Sequence, residues 1–158
     1  MTDRELLRHA LATLAYRGAK ALRDAPPSFA NYDGGGRAPL NIVSHLGDLM
    51  EWSVSMADGS RKWHETAPTT WEGECTRFFA ALKAFDDYLA TDAEVQCEVT
   101  RLFQGPIADA LTHVGQLAML RRMAGAPTLG ENYFAAQIET GRVGPDQAPL
   151  RRRLAADR

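Results

Sequence analysis

The pattern of apolar and polar residues predicts four long helices, because apolar side chains recur at three- and four-residue spacing in four stretches. The first helix lies between Arg4 and Arg23. The second begins at Pro39, which suits the first turn of a helix, and ends at Asp58-Gly59. Three consecutive glycines in the loop between them favour turn conformations. The inward faces of these helices are predicted to contain Leu7, Ala10, Leu11, Leu14, Ala21, Leu22, Ile42, His45, Leu49, Trp52 and Met56.

The third helix is predicted from its apolar face, whereas the fourth is predicted from the residues that mark its ends. The third has an aromatic apolar face, whereas the fourth is introduced by Gly105-Pro106, runs through Met123 and ends at Gly125, a suitable left-handed residue. Residues 92–101 are short and polar, and we interpret them as a connection. The apolar face of the third helix consists of Cys75, Phe78, Phe79, Leu82, Phe85 and Leu89.

These elements predict an all-α fold, a four-helix bundle with a short extra C-terminal helix over residues 131–139. Residues 1–143 form one predicted domain, since 158 residues suffice for a core without disulfides or metal staples. Residues 144–158, which include Arg151-Arg152-Arg153, are predicted to be a tail that is mobile or contacts a partner.

Composition argues against nucleic-acid and membrane roles. The chain has 18 Lys and Arg against 20 Asp and Glu and a net charge of -2, and its basic run is terminal, so a nucleic-acid footprint is absent. The N-terminus lacks the pattern of a signal peptide, and no window approaches a membrane-spanning length. Cys75 and Cys97 have no CxxC spacing, which excludes a zinc site of thiolates and fits a reducing compartment. We therefore expect a cytoplasmic protein.

The candidate chemistry lies on the fourth helix, where Asp109, His113 and Gln116 are four and three residues apart and share one helical face. Such groups cost free energy to bury without partners, so their alignment indicates a site. His45 lies in the inward stripe of the second helix, and bundles build metal sites from facing helices. Two imidazoles and one carboxylate would leave coordination positions open for water or substrate. Gln116 and Asp48, each one turn beyond a histidine, are candidates for orienting a ring or a bound water.

Two segments resemble the DinB-like superfamily, also described as YfiT-type metal-dependent hydrolases. They are Leu-Asn-Ile-Val-Ser-His45-Leu-Gly-Asp48-Leu and His113-Val-Gly-Gln116-Leu-Ala-Met-Leu-Arg-Arg-Met-Ala-Gly125. The resemblance runs from the first helix to about Gly144 and includes the downstream Glu-Asn-Tyr-Phe. It implies an up-down-down-up bundle that binds a divalent ion, commonly zinc or nickel, through one histidine of the second helix and two of the fourth. Better characterised relatives activate a low-molecular-weight thiol, as bacillithiol S-transferases and mycothiol-dependent maleylpyruvate isomerase do.

By position, His45 and His113 match the histidine ligands of that family, and Asp109 stands where the first histidine of the fourth helix is usual. A carboxylate can ligate the same ion, but it adds negative charge and shifts the preference toward harder metals such as iron or manganese. The resemblance therefore implies a metal-dependent hydrolase or thiol transferase that acts on a small molecule, with His45, Asp109 and His113 as ligands.

Other interpretations stay open at this point. In one, His113 is a core histidine hydrogen-bonded to Asp109 one turn earlier, and the chain is a metal-free bundle that binds a small molecule or a protein. In another, the chain is a homodimeric interaction module, since several relatives pair through bundle faces. Trp63 and His64, in the connection after the second helix, either cap the mouth of a cavity or cover the core.

Overall fold

The chain folds into an all-α bundle of four long helices. The computed structural model describes residues 1–150, and no β-strand occurs in that range. The first three long helices are α1 (Asp3–Leu22), α2 (Pro39–Ala57) and α3 (Trp71–Ala90). These bounds confirm the first three predicted helices.

The fourth long helix is longer than predicted and contains an irregular turn. A short α4 (Val99–Leu102) continues through a π-helical turn (Phe103–Ile107) into α5 (Ala108–Met123). The predicted start at Gly105-Pro106 is therefore wrong. In a regular α-helix a proline lacks the hydrogen-bonding N–H and clashes with the carbonyl four residues earlier, whereas the wider π turn accommodates it. The predicted end is confirmed, because Gly125 has the left-handed φ of 77°.

Contacts near both ends of α2 and α3 give their relative direction. Arg77, in the first half of α3, lies 3.0 Å from Asp48 in the first half of α2. Near the ends of both helices, the Tyr88 hydroxyl donates to the carbonyl of Ala57 at 3.2 Å. The two helices therefore run parallel. The connection between them returns along α2, where the N–H of Thr66 donates to Asp48 at 3.2 Å.

The remaining two long helices run in the opposite direction. Arg8, near the start of α1, binds Asp86 near the end of α3 at 2.9 Å, so these helices are antiparallel. Arg121, near the end of α5, donates to the carbonyl of Ala21 near the end of α1 at 3.2 Å, so these two are parallel. The chain order is up-down-down-up, which is the topology that the DinB-like resemblance implies.

The core lies between the four long helices and is rich in leucine and phenylalanine. Burying one such side chain stabilises the fold by roughly 1.5–3 kcal/mol. No helix in the described part of the chain combines the length and apolarity that a membrane crossing needs. The largest fully buried side chains are Tyr16, Phe29, Phe78, Phe85, Leu11, Leu14, Ile42, Leu46, Met50, Leu82, Leu102 and Ile107.

Residues that follow α5 pack back onto the bundle. A single 3-10 turn (Tyr133–Ala135) forms in place of the short helix predicted for residues 131–139. Ala148 is buried, and Arg23 donates to the carbonyl of Pro145 at 3.3 Å, so the described part of the predicted tail contacts the bundle. The run Arg151-Arg152-Arg153 lies outside the described residues.

Candidate metal centre

Three side chains with metal-binding atoms converge where α2 packs against α5. His45 comes from α2, whereas Asp109 and His113 come from successive turns of α5. The Nε2 atom of His45 lies 3.6 Å from Oδ2 of Asp109, and the Nε2 atom of His113 lies 3.6 Å from Oδ1 of the same carboxylate. One ligand atom from each residue lies within 4.8 Å of the other two. We call these three residues the triad.

The spacing of the triad fits a divalent cation. Ligand atoms that lie about 2.1 Å from one ion are separated by about 3.0 Å in octahedral and about 3.4 Å in tetrahedral geometry. The two observed separations of 3.6 Å are slightly longer, and all three ligand atoms lie within 4.8 Å of one another, so side-chain adjustment on binding would have to bring them closer. Imidazole nitrogens and carboxylate oxygens are ordinary ligands of zinc, nickel, iron and manganese. A set of three such ligands leaves coordination positions for water or substrate.

Solvent reaches the triad from the side of Asp109. The Asp109 side chain is 47% exposed, whereas the side chains of His45 and His113 are 21% and 14% exposed. The imidazoles thus sit at the edge of the helix interface with the carboxylate at its opening. A small molecule can approach the three ligand atoms without any helix moving.

Gln116 holds the ring of His113 in a defined state. The Gln116 Oε1 atom lies 2.8 Å from Nδ1 of His113. An amide oxygen only accepts, so this contact favours the tautomer with the proton on Nδ1, in which the lone pair of Nε2 faces the triad. The 3.6 Å between Nε2 and Asp109 is too long for a hydrogen bond, so the local hydrogen-bonded Asp–His pair is not the arrangement present.

Trp63 covers His45 from the connection between α2 and α3. Its ring lies 5.9 Å from the His45 ring and 5.8 Å from the Trp52 ring, both centroid to centroid and edge to face. The connection is held against α2 by Ser55, whose hydroxyl accepts the N–H of Lys62 at 3.0 Å. Trp63 is still 46% exposed, so it forms a rim of the site and is only partly a core residue.

The surroundings of His45 keep its imidazole neutral, as ligation requires. Its pKa is lowered, first by burial and then by the neighbouring His113 and Arg37, and the carboxylate of Asp109 only partly opposes this. A neutral imidazole offers a lone pair to a metal ion, whereas a protonated one does not. The lowered pKa therefore extends the pH range in which His45 can bind a cation.

Asp48 belongs to a different cluster, although it follows His45 on α2. One carboxylate oxygen lies 3.0 Å from Arg77 Nη1, and the other accepts the backbone N–H of Thr66 at 3.2 Å. Arg77 also binds Glu74 at 3.0 Å. Asp48 therefore joins α2 to α3 and to the connection between them, and its charge is balanced there.

A cleft of about 410 Å³ lies beside the triad and was not foreseen from the sequence. His113 and Gln116 form one side of it, and the glycine-rich loop before α2 forms another and supplies Arg37. In the sequence, Arg37 is distinguished only by its position between three glycines and the start of a helix, which does not predict that it lines a cleft. Which helix the loop would contact depends on tertiary packing, which helical periodicity does not encode. The cleft is lined by Gly34, Gly36, Arg37, Ile42, His113, Gln116, Met119 and Leu120.

The cysteines are unreactive in this environment. Burial, followed by the negative charges of Glu72 and Glu74, raises the pKa of Cys75 to about 12. Burial also raises the pKa of Cys97. Both side chains are therefore thiols at neutral pH, and thiolates are the nucleophilic form. A thiol nucleophile at the triad would have to arrive with a bound molecule.

Comparison with known proteins adds no family assignment. None of the family models, curated proteins and solved structures compared with the chain matches it. The function of the site is therefore inferred from its residues and their geometry.

Proposed function

We propose that this chain is a divalent-metal-dependent enzyme of the DinB-like type that acts on a small molecule. The observation that carries the proposal is the convergence of His45, Asp109 and His113 from two helices, with 3.6 Å between each imidazole Nε2 and the carboxylate. The up-down-down-up helix order agrees with the same family. An ion held there would act as a Lewis acid that lowers the pKa of a water or thiol, which suits both hydrolysis and thiol transfer.

The residues of the site have complementary tasks in this proposal. Gln116 keeps the lone pair of His113 directed at the ion through the 2.8 Å hydrogen bond to Nδ1. Asp109 supplies a negative charge that offsets part of the charge of the cation, and its exposure leaves a path for the substrate. Trp63 shields His45 from solvent on one side, which strengthens electrostatic interactions near the ion.

The donor set determines which ions we expect. Two imidazoles and one carboxylate bind zinc and nickel, and the carboxylate makes iron and manganese better competitors than three imidazoles would. We therefore propose one divalent ion per chain, drawn from these four metals. Loading each metal separately would rank them.

Metal uptake tests the proposal directly. Purified protein stripped with a chelator is titrated with Zn, Ni, Mn and, without oxygen, Fe, and binding is followed by calorimetry and by the melting temperature. We expect one equivalent of at least one metal. At a free concentration 100-fold above Kd, binding adds about 2.7 kcal/mol of stability. For a chain of this length, that is a rise of roughly 5–10 °C.

Variants of the triad make the test specific. His45→Ala, His113→Ala and Asp109→Asn should each abolish the metal-dependent rise in melting temperature. His9→Ala is the matched control, because His9 lines a separate groove between α1 and the fourth long helix. Absence of a stoichiometric ion with every metal, together with unchanged melting, would overturn the proposal and favour a metal-free binding bundle.

A further inference from the structure

The cleft beside the triad is lined by a cationic side chain for which residues 1–150 provide no ion-pair partner. Arg37 lines this cleft together with His113 and Gln116. It makes no hydrogen bond or ion pair with any of residues 1–150. Arg77 differs, because its guanidinium lies within 3.1 Å of Asp48, Glu51 and Glu74. The guanidinium of Arg37 is therefore available to a ligand.

Packing of the glycine-rich loop fixes where Arg37 emerges. A Cβ atom at Gly34 would lie 2.4 Å from a side-chain carbon of Leu120, so the loop backbone is seated directly on α5. Gly35 has a φ of 81°, a left-handed conformation that favours glycine. The carboxylate of Asp33 accepts the N–H of Gly35 at 2.9 Å and closes this turn. The loop thus holds Arg37 at the side of the cleft.

The charges around the cleft favour an anion. Arg37 brings a positive charge to the cleft that His113, a member of the triad, also lines. With a divalent ion bound, Asp109 offsets one of its two charges and Arg37 adds another, so the loaded site has a net positive charge. The positive end of the α2 dipole, at Pro39, has the same sign.

The lining of the cleft also includes apolar side chains. They are Met119, Leu120 and Ile42. Met119 is 53% exposed although it is a large apolar side chain. An exposed apolar surface next to one cation matches a ligand that has an apolar body and a single negative charge. A carboxylate fits this better than a phosphate, because the single guanidinium balances the single charge of a carboxylate, which it can bind through two parallel hydrogen bonds.

We propose that Arg37 is a specificity-determining residue that binds a carboxylate group of the substrate, while the apolar part of the substrate lies against Met119 and Leu120. This assignment rests on the proposed function, because it places the carboxylate beside the ion that the triad would hold. It narrows the substrate class to small apolar carboxylic acids or to thiols that carry such a group.

Binding of a matched pair of probes tests this assignment. Phenylacetate and phenylacetamide have the same ring and differ in the charge of one group. Calorimetry or NMR titration would measure their affinities for zinc-loaded wild type, Arg37→Gln, Arg37→Lys and the control Arg101→Gln. Arg101 is an exposed arginine of α4 that pairs with the exposed Glu98, so its removal changes the net charge equally but away from the cleft.

We expect Arg37→Gln to lower the affinity for phenylacetate by about tenfold, the loss typical of one charge-assisted hydrogen bond. Arg37→Lys should recover part of this loss, and Arg101→Gln should bind as wild type does. Affinity for phenylacetamide should be equal in all four proteins. Equal phenylacetate affinity in wild type and Arg37→Gln, or no binding to wild type, would overturn the assignment.

Zinc affinity separates this assignment from the proposed function. Arg37→Gln should bind zinc as tightly as wild type or more tightly, because a positive charge near His45 has been removed. If wild type binds no metal, the proposed function fails. The probe pair measured on metal-free protein then still decides whether Arg37 selects the carboxylate, since its guanidinium does not depend on the ion.

Discussion

Helix α2 contributes to two polar clusters that differ in how their charges are balanced. Toward α3, Arg77 lies within 3.1 Å of carboxylate oxygens from Asp48, Glu51 and Glu74. Toward α5, His45 joins Asp109 and His113, and this cluster contains no permanent cation. We call the first group the Arg77 cluster and compare it with the triad.

The Arg77 cluster is saturated. Arg77 also donates to the backbone carbonyl of Ser44 at 2.6 Å, and Thr69 donates its N–H and its hydroxyl to Glu74 at 2.9 and 3.0 Å. A Cβ atom at Gly47 would lie 2.7 Å from the Arg77 guanidinium carbon, so this glycine lets the guanidinium lie against α2. Each of the three carboxylates contacts the one guanidinium that they share, which is the arrangement of a structural joint.

The triad has the opposite property. The Nε2 atom of each imidazole lies 3.6 Å from a carboxylate oxygen of Asp109, a distance too long for a hydrogen bond. Acceptors gathered in this way are stabilised by a cation that the chain itself does not provide. Both clusters are polar, but the charged groups of a structural joint already contact one another, whereas those of a binding site are arranged around a missing ligand.

Removal of Arg77 should have the largest effect on folding. Arg77→Met would leave the carboxylates of Asp48 and Glu74, only 2% and 3% exposed, without their cation. Breaking a buried ion pair on one side costs roughly 3–5 kcal/mol. Urea denaturation of the metal-free protein would measure this loss, and the zinc affinity of the folded fraction should stay unchanged. A loss below about 1 kcal/mol would show that the cluster is not a joint.

Removal of Gln116 should affect the triad and leave folding almost unchanged. Gln116→Ala deletes the acceptor that fixes the ring of His113, and the loss of such an orienting partner lowers metal affinity roughly 10- to 100-fold, about 1.4–2.8 kcal/mol. Calorimetric titration with zinc would measure it. Gln104→Ala, at an exposed position of the π turn, is the matched control and should bind zinc normally. Equal zinc affinity in wild type and Gln116→Ala would contradict the role of the hydrogen bond.

The triad could be predicted from sequence because its members obey helical geometry. Asp109 and His113 are one turn apart on one helix, and His45 lies in the inward stripe of another, so both patterns are visible before folding. The contact that Asp48 makes with α3 could not be predicted in this way. Its partner Arg77 is 29 residues away on α3, and periodicity does not state which helix packs on which side.

The role of Arg37 and the irregular turn of the fourth long helix also could not be predicted from local sequence patterns. Arg37 gains its place through the packing of a glycine-rich loop on Leu120, a contact between residues far apart in the chain. The π turn keeps Pro106 within the fourth long helix, whereas local propensity predicts that a proline starts one. Helical periodicity thus predicts the helices and their apolar faces, whereas contacts between distant residues determine where the loops and irregular turns are placed.

A smaller effect is expected in the pH dependence of the unfolding free energy, where Glu74 of the Arg77 cluster should contribute. Burial tends to raise the pKa of Glu74, but hydrogen bonds from Thr69 and Arg77 outweigh it and hold the pKa below the usual value of 4.5. Because the folded-state pKa is the lower one, ionised Glu74 stabilises the fold above pH 4.5, and this contribution is lost as the pH falls through the folded-state value. Urea denaturation between pH 6 and about 3 would follow this loss.

Two variants isolate the contribution of this one carboxyl group. In Glu74→Gln the group no longer titrates, so the unfolding free energy should be lower than in wild type near pH 6 and should fall less steeply below it. The two curves should converge in acid, where the wild-type carboxyl is also neutral. Glu72→Gln, at an exposed position in the same helical turn, should follow the wild-type slope. Parallel curves for wild type and Glu74→Gln would mean that Glu74 contributes nothing to acid sensitivity, and the pairing with Arg77 would then have to be weaker than its geometry indicates.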